Sequence, residues 1–540
     1  MKRGQGFDAT LPHFYEGPME DPDYLEVWCY TQALSFEAGE TVDFHLNTTA
    51  SRIHLEILRD GGEQVSVHKM EEISGNFYPT PDNFYEAGCG WPVGYAWQIP
   101  DDLSSGFYLV LCKVENDKGE VREHEAGFFV RPKIGKPTAK ILLVAATSTW
   151  AAYNDWGGTS NYRGFDKTLR GGKSPRLSIH RPWAKGFLSL PGGAPRKPHE
   201  YKVRPGDIPR YPPIEFAYTR GYSKYYACAG WASYEGPFSQ WAEQQGIALD
   251  YACQLDLHYR PELLDSYACV ITVGHDEYWS REMRLTLEHY VEKGGHFARF
   301  GGDFAWQIRL EDQGNTQVCY KEDAAKKDPV MQTDKQHLLT CYWDDPLVNW
   351  NGAKTIGLNG HYGIYAGIGH LAPRQGGSFT VYRPEHWALK GTDLCYGDQF
   401  GGEAKIFGYE VDGLDYVIKD GVPEPTYTDG AIPGTQIIAM GLAANIEADH
   451  GNKGSLLYYG TSGDCNMDCM DRFSIPRYGE DNEKTRAASA RGNGMVIACQ
   501  RGAGHMFVAG SCEWVAGLQR NDMDTATITR NVLGHFSRSE

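Results

Sequence analysis

No stretch of this 540-residue chain is apolar for long enough to cross a bilayer. The longest run, Ile141-Leu142-Leu143-Val144-Ala145-Ala146, falls far short of the ~20 residues a spanning helix needs. Basic residues are in the minority, 52 Lys and Arg against 70 Asp and Glu, for a net charge of −18. With no basic cluster to neutralise phosphates, nucleic acid and anionic membrane surfaces are excluded as partners. Cysteine is sparse, 13 residues scattered without the spacing of a disulfide framework. Thiols in a reducing, cytoplasmic compartment are expected, where the Asn47-Thr48-Thr49 sequon carries no meaning. Met1-Lys2-Arg3-Gly4-Gln5-Gly6 runs into polar sequence with no apolar signal core, so no export is expected. Familiar catalytic signatures are missing too: no complete G-x-S-x-G, no H-E-x-x-H and no phosphate-binding G-x-x-x-x-G-K-[ST]. Cys465-x-x-x-Cys469 lacks the second ligand pair of a zinc site.

What the chain does have is 63 Gly, 33 Tyr and 14 Trp in a background that is 41% hydrophobic and 23% charged. That balance can bury a core, and the glycine excess without a G-X-Y period points to many tight turns. Residues 1–132 read as β, with short alternating runs at Tyr24–Tyr30, Thr41–Leu46, Arg52–Leu58, Phe107–Val114 and Gly127–Arg131. This spacing suggests an immunoglobulin-like β-sandwich. Arg131–Pro137 reads as a linker. From residue 138 to 540 the pattern changes to α/β. Lys140–Ala146, Ile247–Tyr251, Cys269–Val273 and His296–Phe300 read as strands, and Pro237–Gln245 and Ser280–Lys293 as helices, the latter with Ser280 as N-cap. The alternation predicts a doubly wound sheet, joined later by Gly454–Tyr459 and His505–Ala509. Residues 310–440 show few helical patterns and read as long loop insertions.

Ligands of open α/β sheets bind outside the carboxyl ends of the strands. Four predicted strand ends carry polar and aromatic residues: Thr147–Tyr162, Gly274–Trp279, Gly301–Trp306 and Gly510–Trp514. The sharpest is His275-Asp276-Glu277, three ionisable groups that are costly to bury without partners. Two readings stay open for it: an acid–base or metal-binding pair of His275 and Glu277, or acidic residues favouring the following helix N-terminus. Tyr153 and Tyr162 are either aromatic wall or phenolate ligands, the second suited to a hard cation such as Fe(III) that displaces a proton of pKa ~10. Cys512 is either an inert buried thiol or a nucleophile with His505 or His275 as base.

Ala152-Tyr153-Asn154, Gly274-His275-Asp276-Glu277-Tyr278-Trp279 and Phe407-Gly408-Tyr409-Glu410-Val411-Asp412-Gly413, in that order, resemble the large (beta) subunit of N,N-dimethylformamidase over roughly residues 20–537. The resemblance implies a class I glutamine amidotransferase-like fold without the cysteine elbow, and a mononuclear iron (Fe3+) held by Tyr153, Tyr162 and Glu277. It further implies catalytic roles for Glu410 and His275, a small amide substrate, and a homo-oligomer or a hetero-oligomer with a small subunit. Arg181 matches a basic family position without an assigned role. Asp303 stands where the family usually has Asn, the loop Lys185–Tyr226 looks rebuilt, and a lectin-like insertion of the family is missing. The function this implies is Fe(III)-dependent hydrolysis of small N-substituted amides, giving amine plus formate from a dimethylformamide-like substrate. Its rivals are a Cys512-dependent amidohydrolase without metal and a non-catalytic binding or assembly subunit. Trp150, Trp156, Trp279 and Trp306 are the candidate aromatic wall around the substrate.

Overall fold

A computed structural model describes residues 16–19, 21–162, 173–197, 212–366, 377–445 and 470–538. The expected strand Gly454–Tyr459, the Cys465/Cys469 pair, the segment Met1–Gly6 and the central part of the Lys185–Tyr226 loop lie outside the described residues.

The N-terminal strands form two sheets. Val27–Thr31, Thr41–Thr48 and Val93–Gln98 make one of three strands, and Ser35–Glu37, Val121–Arg131, Gly106–Glu115, Arg52–Asp60 and Gln64–Ser74 make one of five. The pairing is antiparallel except between Ser35–Glu37 and Val121–Arg131. Ile53, Leu55 and Ile57 alternate with more exposed neighbours, as a half-buried strand requires. They share one core with Val42, Phe44 and Leu46 of the other sheet. The strand expected at Tyr24–Tyr30 begins at Val27, and Gln64–Ser74 and Val93–Gln98 were not anticipated from the sequence.

The central sheet begins as expected, with five parallel strands in the order Asp250–Cys253, Ile141–Ala145, Cys269–His275, His296–Gly302 and Gly504–Gly510. Leu142, Val144, Val270, Phe297 and Val508 enter one apolar cluster with Met283 and Leu287 of the Arg281–Glu292 helix. Their alternates Leu143, Ile271, Ala298 and Phe507 enter another with Phe238, Trp241, Trp514 and Val532. The sheet is therefore covered on both faces, and that explains the uninterrupted apolar runs. Beyond Gly504–Gly510 the reading needs correcting. The sheet continues antiparallel through Arg491–Arg501 and Gln436–Ala444 to the short strands Tyr365–Ala366 and Tyr409–Glu410. Residues read as loop insertions thus supply its far edge. The expected strand Ile247–Tyr251 is also displaced, to Asp250–Cys253. The carboxylate of Asp250 accepts the backbone N–H groups of Thr138 and Ala139 and the Tyr267 hydroxyl, which fixes where pairing starts.

The Arg131–Pro137 segment is anchored at its first residue and exposed from Lys133 to Pro137. Arg131 is buried between Glu37 (3.2 Å) and Asp256 (3.6 Å). Phe107 stacks on Trp231 at 4.3 Å, and Phe129 lies 6.0 Å from Trp150, so one apolar cluster runs across the boundary. Among the described residues no helix is long and apolar enough to cross a membrane.

Candidate metal centre and active site

Glycine lets four chain segments meet near the carboxyl ends of the central strands. A Cβ on Gly301 would sit 2.5 Å from the Gly274 carbonyl oxygen. One on Gly302 would sit 2.6 Å from the Glu410 carbonyl oxygen and 2.8 Å from the Cys512 nitrogen. Neither contact is tolerable for a larger residue. Next in sequence, Asp303 adopts φ 59°, a left-handed conformation Asp enters more readily than most side chains. The strand ends bearing His275, Asp303, Glu410 and Cys512 are thereby brought side by side.

Tyr153 is the last residue of the helix Thr147–Tyr153, and Tyr162 follows one loop later. Their rings stack at 4.3 Å. Arg181 ties that loop down: its buried guanidinium donates to the carbonyls of Asn154 (2.9 Å), Trp156 (3.2 Å), Thr159 (2.8 Å) and Ser178 (3.2 Å). Burial draws this guanidinium down to about 10. The Arg181 position is thus a clamp on the tyrosine-bearing loop and reaches no reacting group.

Glu277 is held on every side. Its N–H donates to Thr149 Oγ1 (3.0 Å), and Trp306 Nε1 donates to its Oε1 (2.7 Å). The Tyr162 hydroxyl lies 3.0 and 3.1 Å from its two oxygens and 2.6 Å from the Tyr278 hydroxyl. Lys321 places its ammonium 3.4 Å from the centre of the Tyr162 ring and 4.7 Å from that of Trp306.

His275 stands between this group and Glu410. Its Nδ1 meets the Cys228 carbonyl at 2.7 Å and the Tyr409 hydroxyl at 3.0 Å. Its Nε2 faces three carboxylates: Glu410 at 2.8 Å, Glu277 at 3.2 Å and Asp303 at 3.7 Å. His275 Nε2, Glu410 Oε2 and Asp303 Oδ1 are buried without a well-formed hydrogen bond among the described residues. Buried ionisable groups this close are costly without full pairing, so the His275–Glu410 contact with Asp303 beside it is the most strained part of the cluster electrostatically.

The electrostatics follow from that crowding. Burial, reinforced by Glu277, pushes the phenols of Tyr153 and Tyr162 well up, and it pushes Asp303 up in the same way. Although burial favours a neutral ring, Glu410 and its neighbours hold His275 well above the ordinary imidazole value. Glu277 is held below the usual carboxylate range against its burial, chiefly by His275, with Lys321 contributing. Burial also pushes the Cys512 thiol well up, which disfavours the thiolate a nucleophile needs.

Two phenols and a carboxyl in contact, with His275 and Lys321 as the cations beside them, form a donor set that a trivalent hard ion suits once the phenols ionise. Two further sets converge on His275: His275–Glu277–Asp303 and His275–Glu410–Cys512, each with ligand atoms within 4.8 Å of one another. The structure therefore brings Tyr153, Tyr162, Glu277, His275, Glu410 and Asp303 into one cluster. Of the four expected wall tryptophans only Trp306 touches it. Trp150 packs on Phe107 and Trp183, Trp156 on Trp28 and Phe84, and Trp279 on Phe304. Tyrosines line the site instead, with Tyr225 at 5.5 Å from the Tyr153 ring, and Tyr278 and Tyr409 in hydrogen-bond reach of Tyr162 and His275. Tyr278 directly follows the His-Asp-Glu turn and was legible there; Lys321 had no signal in its local sequence.

A family model described as "N,N-dimethylformamidase beta subunit-like, C-terminal" matches residues 57–526. The N,N-dimethylformamidase beta subunit of Alcaligenes sp is 22% identical over 519 residues, covering 89% of this chain and 58% of that protein. The protein of the same name from Paracoccus aminophilus is 23% identical over 487 residues, covering 84% and 55%. The chain thus spans little more than half the length of the curated relatives it matches.

Proposed function

Since the chain belongs to the N,N-dimethylformamidase beta subunit-like family, we propose that it hydrolyses the C–N bond of small N-substituted amides, formamides first, at a mononuclear Fe(III) centre. One observation carries this reading. The Tyr162 hydroxyl sits on both oxygens of Glu277 with the Tyr153 ring stacked against it, beside the unsatisfied atoms of His275 and Glu410. Tyr153, Tyr162 and Glu277 would hold the ion, which when bound polarises an amide carbonyl and acidifies water.

The remaining work falls to side chains already in place. Glu410, 2.8 Å from His275 Nε2, takes a proton from the attacking water and returns one to the departing amine. His275, anchored through Nδ1 on the Cys228 carbonyl, keeps Nε2 turned toward Glu410 and shares that proton. Trp306, Lys321 and the tyrosine rings pack around the cluster and exclude bulk water, which favours a small, weakly polar amide. For a dimethylformamide-like substrate the products are amine and formate.

We read the two N-terminal sheets as immunoglobulin-like and the α/β part as amidotransferase-like; the facing sheets and the five parallel strands support this. The relatives are named as subunits, so we read the chain as part of an assembly, either of its own copies or with a smaller subunit. Its described cysteines are all unbridged thiols, in keeping with a reducing cytoplasm. The deciding experiment is metal analysis and a visible spectrum of protein made with ample iron, followed by turnover of N,N-dimethylformamide. A tyrosinate–Fe(III) band that disappears in Tyr162→Phe, together with amine release, is expected. Colourless, iron-free protein overturns the reading.

A further inference from the structure

We propose that Arg299 is a positioning residue that sets the separation between the Glu410 carboxylate and the His275–Glu277 turn. The inference rests on the roles given above to those residues. Arg299 belongs to the His296–Gly302 strand and is fully buried. Its guanidinium donates to the carbonyls of Gly301 (2.8 Å), Gly302 (3.0 Å) and Asp276 (3.1 Å) and to the Asp412 carboxylate (2.5 Å). Its Nε lies 3.5 Å from Asp276 Oδ2.

Three of these partners lie beside a group of the site. Asp276 separates His275 from Glu277, Gly302 precedes Asp303, and Asp412 follows Glu410 by one intervening residue. Asp412 completes the link, because its other oxygen accepts the Phe304 N–H (2.9 Å) and its own N–H donates to the Gly510 carbonyl (3.1 Å). One planar fork therefore joins chain segments far apart in sequence directly beneath the residues whose spacing matters. An ammonium is a single point charge and cannot span these partners at once.

Stability alone is a weak reason for such a feature, since a buried ion pair often does no better than apolar residues of the same volume. Geometry is the stronger one. Above the fork, carboxylates of Glu410, Glu277 and Asp303 crowd one imidazole nitrogen at 2.8, 3.2 and 3.7 Å. Groups drawn to one imidazole nitrogen would close on it, so the separation between them persists only if the backbone beneath each is fixed.

The test compares Arg299→Lys and Asp412→Asn with Arg284→Lys. Arg284 is equally buried and grips the carbonyls of Trp350 (2.5 Å) and Asn351 (2.8 Å) and Thr355 Oγ1 (2.7 Å), none of them a group assigned to the reaction, and its guanidinium lies 5.4 Å from the Phe304 ring. Tm, bound iron, kcat and KM for N,N-dimethylformamide are measured on each holoprotein. For Arg299→Lys, kcat per bound iron is expected to fall about 100-fold while KM stays within about threefold, the cost of a misplaced reacting group. Asp412→Asn is expected to fall about tenfold with the same split, and Arg284→Lys to lower Tm while kcat per iron stays unchanged. The proposal is overturned if Arg299→Lys and Asp412→Asn keep kcat per iron within about twofold of wild type, or if Arg284→Lys loses as much. Should Arg299→Lys fail to fold, Asp412→Asn decides by the same criterion. Wild-type protein that turns over no amide sinks the functional reading instead, so the two failures are distinguishable.

Discussion

Asp276 and Glu277 are consecutive carboxylates, both buried, and they serve two different regions. Asp276 faces a satisfied lattice: Gln254 Nε2 (2.9 Å) and Trp279 Nε1 (2.7 Å) donate to its carboxylate, and Arg299 donates to its carbonyl. Glu277 faces a cluster of three phenols, an imidazole and two more carboxyls, with buried atoms left unsatisfied. The first region is what a fold does with charge when it wants rigidity. The second is charge gathered without full pairing, which the proposed function reserves for a ligand. Neighbouring residues of the same chemistry should therefore respond differently to the same isosteric change, one chiefly in ligand retention and the other chiefly in stability.

The largest effect is expected at the open region. Glu277→Gln should abolish iron retention and lower turnover by about 10⁴-fold, while the Tm of the iron-free protein falls modestly, because His275 and Lys321 hold the carboxylate charged in the fold. Metal analysis, visible spectra and calorimetry read all three, and a Glu277→Gln variant that keeps iron and its colour breaks the contrast. Glu410→Gln should come next, with turnover down about 10³-fold and the iron band still present, since Glu410 is assigned to protons and not to the ion.

At the satisfied region the effect falls chiefly on stability. Asp276→Asn should cost about 3 kcal/mol of stability by stripping Arg299 and Trp279 of a buried anionic partner. Denaturant unfolding of the iron-free protein measures it; a loss no larger than that of Glu277→Gln would erase the distinction.

A smaller, pH-dependent effect is expected at Glu235. Its Oε1 accepts the Ala146 N–H (2.9 Å) and the Trp150 indole N–H (3.3 Å), and burial raises its carboxyl to about 8. A carboxyl raised on folding favours the native state fully below the unfolded value of 4.5, and that advantage is lost as pH rises toward about 8. Glu235→Gln should therefore gain Tm over wild type progressively from pH 5 to 8 and hold the gain above it. A pH-independent difference would show that Glu235 does not ionise over this range. The smallest effect belongs to Cys512→Ala, for which turnover within about threefold of wild type is expected of a protonated buried thiol. Loss of turnover with iron retained would move the nucleophile to Cys512.

Much of this contrast was legible in the residues. The apolar runs at Ile141–Ala145, Cys269–Val273 and His296–Phe300 marked doubly covered parallel strands, and Ser280 marked a helix start that its Oγ does cap, accepting from the Met283 N–H at 3.2 Å. The antiparallel half of the sheet was not legible. Gln436–Ala444 and Tyr409–Glu410 lie in a stretch rich in Gly and Tyr, where only pairing with distant strands makes them strands. Tryptophan identity misled for a similar reason: Trp150 and Trp156 follow a strand end yet turn toward the N-terminal sheets, whose docking their own sequence does not encode.

By itself the sequence determined which side chains could do chemistry. It lacks the basic clusters and the long apolar runs of other classes, and it sets ionisable groups at strand ends, where burial without a partner is costly. Only the tertiary structure decided which of them meet. Tyr162 and Glu277 are 115 positions apart and Arg299 and Asp412 are 113 apart. Their contact follows from parallel register across Cys269–His275 and His296–Gly302, and from glycines that let the strand ends close in. The same geometry divides Asp276 from Glu277, because successive residues leaving a strand point to opposite sides.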